Sequence, residues 1–190
     1  MRFAHLCDTI DASDPPSSDD MPFPFDIDDL LAYTDWERAQ WHGWFQANGA
    51  PTLATGLGAH NTGRIHTVGE LIRHIFSAEL RYVQRSLRQE LTDTSTIPAD
   101  DPATLFAFGD RSRAALRQLL ATFPDADWTA PREMTLGSAT RIMTPRKFVL
   151  QSVTHEIRHW AQIAAFLRQA GHQPGHRDLI ASPLFGPAPV

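Results

Sequence analysis

The stretch opened by Thr144-Pro145 and closed by Gly171 places Val149, Val153, Ile157, Trp160, Ala164 and Leu167 three or four residues apart. Each residue of an α-helix advances by about 100°, so that spacing gathers these side chains on one face. The ends agree with the interior. Threonine caps a helix start, proline suits the first turn where its missing N–H goes unused, and glycine accepts the left-handed backbone that ends a helix. Three other segments carry the same punctuation. The first runs from about Asp26 to Ala47, with Ile27, Leu30, Leu31, Thr34, Trp41, Trp44 and Phe45 on its apolar side, and Asn48-Gly49 with Pro51 stops it. The second starts at Thr67, which has capping-box spacing to Glu70, and carries Val68, Leu71, Ile72, Ile75, Tyr82, Val83 and Leu87 to about Leu91. The third opens at Asp101-Pro102 and ends before Pro124. Between the third and fourth, the β-branched residues of Glu133 to Met143 around Gly137-Ser138 allow a short hairpin. Helices with one apolar face bury it against one another, so the expected fold is all-α, a four-helix bundle.

The 190 residues suffice for one buried core, and the expected domain spans residues 25–185. Residues 1–24 read as an acidic, Pro/Ser-rich tail expected to be disordered, with little to bury in Asp11 to Asp20. The chain after Gly171, with its prolines and glycines, reads as an ordered or semi-ordered extension ending in a short tail, 186–190. No apolar run approaches the roughly 20 residues that cross a bilayer, and Met1 to Ile10 lacks the apolar core of a secretory signal. A cytoplasmic protein without membrane contact is expected. The single cysteine, Cys7, excludes an internal disulfide framework and a cysteine-based zinc cluster. A formal charge of -5 argues against a sequence-independent grip on nucleic acid.

Within the fourth segment lies His155-Glu156-Ile157-Arg158-His159. Positions i and i+4 are neighbours on a helix surface, so both imidazoles can point at one place, and Gln162 continues the same stripe. This stripe stands opposite the main apolar face, which suggests a helix covered on two sides with a polar pocket between helices. A shared divalent metal would satisfy both buried imidazoles at once. A pair alone is a weak site, because catalytic zinc sites commonly use three protein ligands and leave one position open. His74, flanked by Ile72 and Ile75 and near Ser77 and Ala78, is the best third ligand, against the reading of a core histidine bonded to a carbonyl. His42 is a packing histidine or a further ligand. His60, His66, His172 and His176 fall in loops or termini and read as solvated. The bare HExxH pattern also matches zinc peptidases. The third ligand of those enzymes is missing: Gln162 and Ala165 stand where a metzincin has Gly and His, and no glutamate follows Glu156.

Taken in order, Leu71-Ile72-Arg73-His74-Ile75 and His155-Glu156-Ile157-Arg158-His159-Trp160-Ala161-Gln162-Ile163 resemble the histidine motifs of the DinB-like (YfiT-related) superfamily of metal-dependent four-helix bundles. Leu30 to Trp36 looks like that family's opening helix and Phe166 to Gly171 like its usual end. The resemblance covers about residues 25 to 185. It departs in the long acidic N-terminal tail and at Trp160-Ala161, where many members have Arg-Gly. It implies a DinB-type bundle with His74, His155 and His159 as ligands of one divalent metal ion, zinc or nickel. The implied activity is that of a metal-dependent thiol S-transferase, using a low-molecular-weight thiol, or of a hydrolase acting on a small molecule. The alternative is a non-catalytic, metal-stabilised structural or stress-response protein. Glu156 and Gln162 are the candidates for supporting roles beside the ligands, and a homodimer is expected.

Overall fold

The computed structural model describes residues 26–58, 63–136 and 139–186. The expected N-terminal tail, Cys7, His60, the Gly137-Ser138 turn and residues 187–190 lie outside these. Four long helices make the body: α1 (Ile27–Asn48), α3 (Val68–Ser86), α4 (Pro102–Thr122) and α5 (Pro145–Gln169), with a one-turn α2 (Ala50–Leu53) after the first. A two-stranded antiparallel hairpin, β1 (Arg132–Leu136) and β2 (Ala139–Met143), precedes α5, with Glu133 paired to Ile142. The all-α bundle with a short hairpin is thus the observed fold.

Local chemistry sets the helix starts. The Asp26 carboxylate accepts from the N–H groups of Asp28 and Asp29 while Asp29 reaches back to the Asp26 N–H, a reciprocal capping box. Thr67 and Glu70 do the same for α3. Asp101 and Thr144 cap α4 and α5, each followed by proline. The end of α3 departs from expectation, stopping at Ser86 instead of continuing to about Leu91. Arg88 takes a left-handed backbone (φ 56°) and the chain turns back along the helix. Gln84 receives it, donating to the Thr92 hydroxyl and accepting from the Thr92 N–H, and Arg73 donates to the carbonyls of Ser95 and Ile97. Side chains of the helix itself thus hold the return loop, a tertiary effect that apolar periodicity does not report.

In the packing, α3 lies against both α4 and α5, and α1 closes the bundle against the same two helices. One core region joins Trp41, Phe45, Ile72, Phe76, Phe106 and Trp160; a second joins Leu31, Val83, Leu116, Leu119, Val149 and Val153. Between them is a polar layer. Glu156 of α5 receives Arg38 of α1 through Nε (2.5 Å) and Nη2 (2.8 Å) and Arg113 of α4 through Nη2 (2.7 Å). Glu79 of α3 contacts the same guanidinium groups at 3.0 and 3.1 Å and accepts from Ser112 at 2.8 Å. Trp160 Nε1 donates to Glu156 and Arg113 Nη1 donates to Thr34 Oγ1. Two acids and two bases, one from each long helix, therefore neutralise one another.

Gly109 makes this layer possible. A Cβ there would meet the Phe76 ring at 2.8 Å, so only glycine lets α4 approach α3 so closely. Its carbonyl accepts from Arg38 Nη1 at 3.1 Å and from Ser112 at 2.9 Å. Burial alone would raise the Glu156 pKa, but Arg38, Arg113 and the Trp160 N–H outweigh it and hold the carboxyl below its ordinary value.

Removing one member of such a layer strands the others away from water. Glu156→Ala should lower the unfolding free energy by about 3–5 kcal/mol, read as a fall in the urea midpoint. An unchanged midpoint would show that the layer does not support the fold.

Candidate metal centre

His155 and His159 lie one turn apart on α5, and their Nε2 atoms are 3.0 Å apart. His74, in the first half of α3, brings its Nε2 to 3.2 Å from that of His155. Among the described residues these three form the one group of histidine, cysteine or acidic side chains able to hold a metal ion, with ligand atoms all within 4.8 Å of one another. Nitrogens each about 2.1 Å from a zinc ion stand about 3.4 Å apart at the tetrahedral angle and about 3.0 Å apart at a right angle. The two separations from His155 Nε2 fall in that range, and all three donors lie within 4.8 Å of one another, so the donor set suits a divalent metal.

The surroundings keep the rings in the state a metal needs. Burial, then His159 and Arg81, push His74 down to about 4. Burial, then the neighbouring histidines, push His155 down to about 3. His159 is lowered too, by burial and by Arg158 against the opposing bond to Gln162. The imidazoles are therefore neutral near pH 7, with lone pairs free for a cation. Gln162 Oε1 lies 2.5 Å from His159 Nδ1. An amide oxygen accepts only, so Nδ1 carries the proton and Nε2 faces inward as the ligand atom. His155 Nδ1 is buried without a hydrogen-bond partner among the described residues.

The residues singled out in the sequence therefore divide. His74, His155 and His159 come together, and Gln162 stands behind His159. Glu156 does not face them. It is buried with its carboxylate in the grip of Arg38, Arg113 and Trp160, where a peptidase base would instead face the metal. His42 stacks on Phe106 with ring centroids 4.6 Å apart and stays outside the group. His66 and His176 are exposed, while His172 is half-buried, edge-on to Trp44.

Sequence reading missed the polar wall beside the centre. His74 opens onto a pocket of about 350 Å³ that also presents Arg73, Ser77, Arg81 and Thr94. Ser77 and Arg81 follow His74 by three and seven residues, a helical spacing that placed them on the ligand's face all along. The loop carrying Thr94 had no such signal, because its position depends on the return after α3.

Two measurements check the centre. His74→Ala, His155→Ala and His159→Ala should each strip most of the bound metal in elemental analysis, and Gln162→Leu should weaken affinity by roughly 10–100-fold. Full occupancy in the His74 variant would remove it from the ligand set. The pH dependence follows from the lowered pKa values. An unfolded chain protonates these histidines as pH falls below 6.5, whereas the folded one resists until about 4 and about 3. Metal-free protein should thus keep its full melting temperature above pH 6.5 and lose it steadily on acidification toward pH 3. A flat profile over that interval would contradict the burial of the neutral rings.

With this geometry in place, comparison with known proteins gives a consistent result. The DinB family model matches residues 21–183. The fold is similar to the crystal structure of a DinB-like protein from Bacillus cereus ATCC 10987, with a TM-score of 0.57 and 18% identity over 79% of this chain and 96% of that one. No functionally curated protein matches the chain. No described helix is long and apolar enough to cross a membrane. The protein belongs to the DinB family.

Proposed function

We propose that this protein is a metal-dependent enzyme that delivers an anionic nucleophile to a small electrophilic molecule, as a thiol S-transferase or a hydrolase. The observation that supports it is the convergence of three neutral imidazoles beside an open pocket, with no fourth histidine, cysteine or carboxylate in the group among the described residues. A metal-stabilised structural site is commonly closed by four protein ligands, and a catalytic one keeps a position open. A divalent ion such as zinc or nickel would supply the acidity that turns a thiol into thiolate, or water into hydroxide, near neutral pH.

Arg64, Arg73 and Arg81 outnumber Glu70 and Asp93 around the pocket, which favours negative charge there. Burial is the main cause that keeps these imidazoles neutral, and Arg81 beside His74 and Arg158 beside His155 and His159 add to it. The same field stabilises an incoming thiolate or a carboxylate-bearing thiol. Gln162 keeps the His159 ring oriented. Arg81 Nε is tethered to the Ser77 carbonyl at 3.1 Å, so its guanidinium is positioned before a substrate arrives. The family resemblance adds a homodimer to this proposal.

The test is a screen of the metal-loaded protein with low-molecular-weight thiols against an aryl halide and, separately, with ester and amide substrates. Thiol consumption that disappears in His74→Ala and falls by about tenfold or more in Arg81→Ala would support the transferase reading. Thiol-independent hydrolysis with the same dependence would support the hydrolase. Stoichiometric metal without turnover of either kind would leave a metal-stabilised structural protein and overturn an enzymatic role.

A further inference from the structure

The apolar face of α5 borders a second cleft, whose polar groups come from α1 and the chain after α5. Ala164 is nine residues from His155, which puts it about 180° around the helix from the metal centre. There α1, α5 and the segment 175–178 line a cleft of about 410 Å³. Ligand sites begin near 300 Å³, while a water occupies only about 30 Å³. The cleft owes its space to Ala161 and Ala164, and Trp41 and Trp160 supply its aromatic wall.

Two charged groups in this cleft each keep a buried atom without a hydrogen-bond partner among the described residues. Glu37 is 6% exposed, and its Oε2 has no hydrogen-bond partner among the described residues. Its Oε1 has a long 3.4 Å contact from Trp41 Nε1. Arg177 lies with its guanidinium carbon 3.8 Å over the Trp41 ring; its Nη1 donates to the Pro174 carbonyl, while its Nε has no partner among the described residues. Each influences the other's ionisation, yet no ion pair joins them. Burial, together with Glu156 and Asp178, pushes Glu37 up to about 7, and burial pushes Arg177 down to about 10. Buried polar groups are ordinarily satisfied, so a separated acid and guanidinium facing one cleft signal a missing bridging group.

We propose that this cleft is a second ligand site, for a small zwitterion of the α-amino acid kind, whose ammonium meets Glu37, whose carboxylate meets Arg177 and whose side chain lies on Trp160. The charge balance selects this class. Glu37 and Asp178 offset Arg168 and Arg177, so a simple amine or a simple carboxylate would leave one buried charge unmatched. The site is also built in advance. Tyr33 Oη donates to the Arg177 carbonyl at 3.1 Å, Trp44 Nε1 to the Gln173 carbonyl at 3.2 Å, and Arg168 Nη2 to the Gly175 carbonyl at 3.3 Å. These bonds hold the segment against the bundle, so little ordering remains for the ligand to impose.

The experiment screens the natural α-amino acids against the full-length protein by saturation-transfer NMR. The strongest binder is then compared by calorimetry with its decarboxylated amine and its deaminated acid; for leucine these are isoamylamine and isocaproate. Amino acids also chelate metals, so the titration is repeated on metal-free His74→Ala. The expected result is binding that survives in His74→Ala and weakens by about tenfold or more in the amine, the acid, Glu37→Gln and Arg177→Gln. Ala164→Leu, which fills the cleft without removing a charge, should abolish binding at unchanged metal content and melting temperature. That variant keeps the test decisive if Glu37→Gln does not fold. Absence of binding by every amino acid, binding lost in His74→Ala, binding retained in Ala164→Leu, or equal binding of the amine or the acid alone would each overturn the proposal.

Discussion

Glu156 and Glu79 share the guanidinium groups of Arg38 and Arg113 in a layer to which every long helix contributes one charge. Apolar faces can slide past one another at small cost, because burial is non-directional. A buried carboxylate cannot, since its alternative to two well-placed guanidinium groups is an unpaired charge in a medium of low polarity. The layer therefore selects one rotation and one height for each helix among the many arrangements that would bury the same leucines. Gly109 belongs to the same constraint, because only a residue without Cβ brings α4 near enough to α3 for its carbonyl to join.

The metal centre depends on that rotation. Glu156 lies between His155 and Ile157 on α5, so fixing its carboxylate toward α1 and α4 turns the two histidines toward α3. There His74 meets His155 at 3.2 Å. The glutamate of HExxH thus supports the site from behind, as an anchor of the helix that carries two of the three candidate ligands. The two faces of α5 also receive different chemistry. One faces α3 with neutral imidazoles under the influence of arginines. The other meets an acid of α1, Glu37, and a base of the segment 175–178, Arg177, held apart in one cleft. The bundle keeps them separate by filling the space between with Trp160, which stacks on Trp41 at 5.4 Å and donates to Glu156.

Much of this was legible along the chain wherever the cause is local. Capping by Asp26, Thr67, Asp101 and Thr144 involves residues two to three positions away, and the structure starts its helices there. The hairpin at 132–143 and the pairing of His155 with His159 are local as well. The end of α3 was not, because Gln84 and Arg73 stop the helix by binding a loop that returns from beyond it. A charged residue within an apolar stripe was a signal available but unused. Glu79 falls among Ile72, Ile75, Phe76 and Val83 at helical spacing, where a solvated glutamate has no place.

By itself the sequence determined the four long helices, their starts and the stripe His155, His159 and Gln162, because those features rest on backbone hydrogen bonds and spacings within a few residues. Tertiary structure decided which faces meet. It brought His74 to the pair across 81 positions, turned Glu156 into the buried layer and left Glu37 and Arg177 separated in one cleft. Those outcomes depend on the desolvation of charges and on helix rotation, and neither exists until the helices have packed.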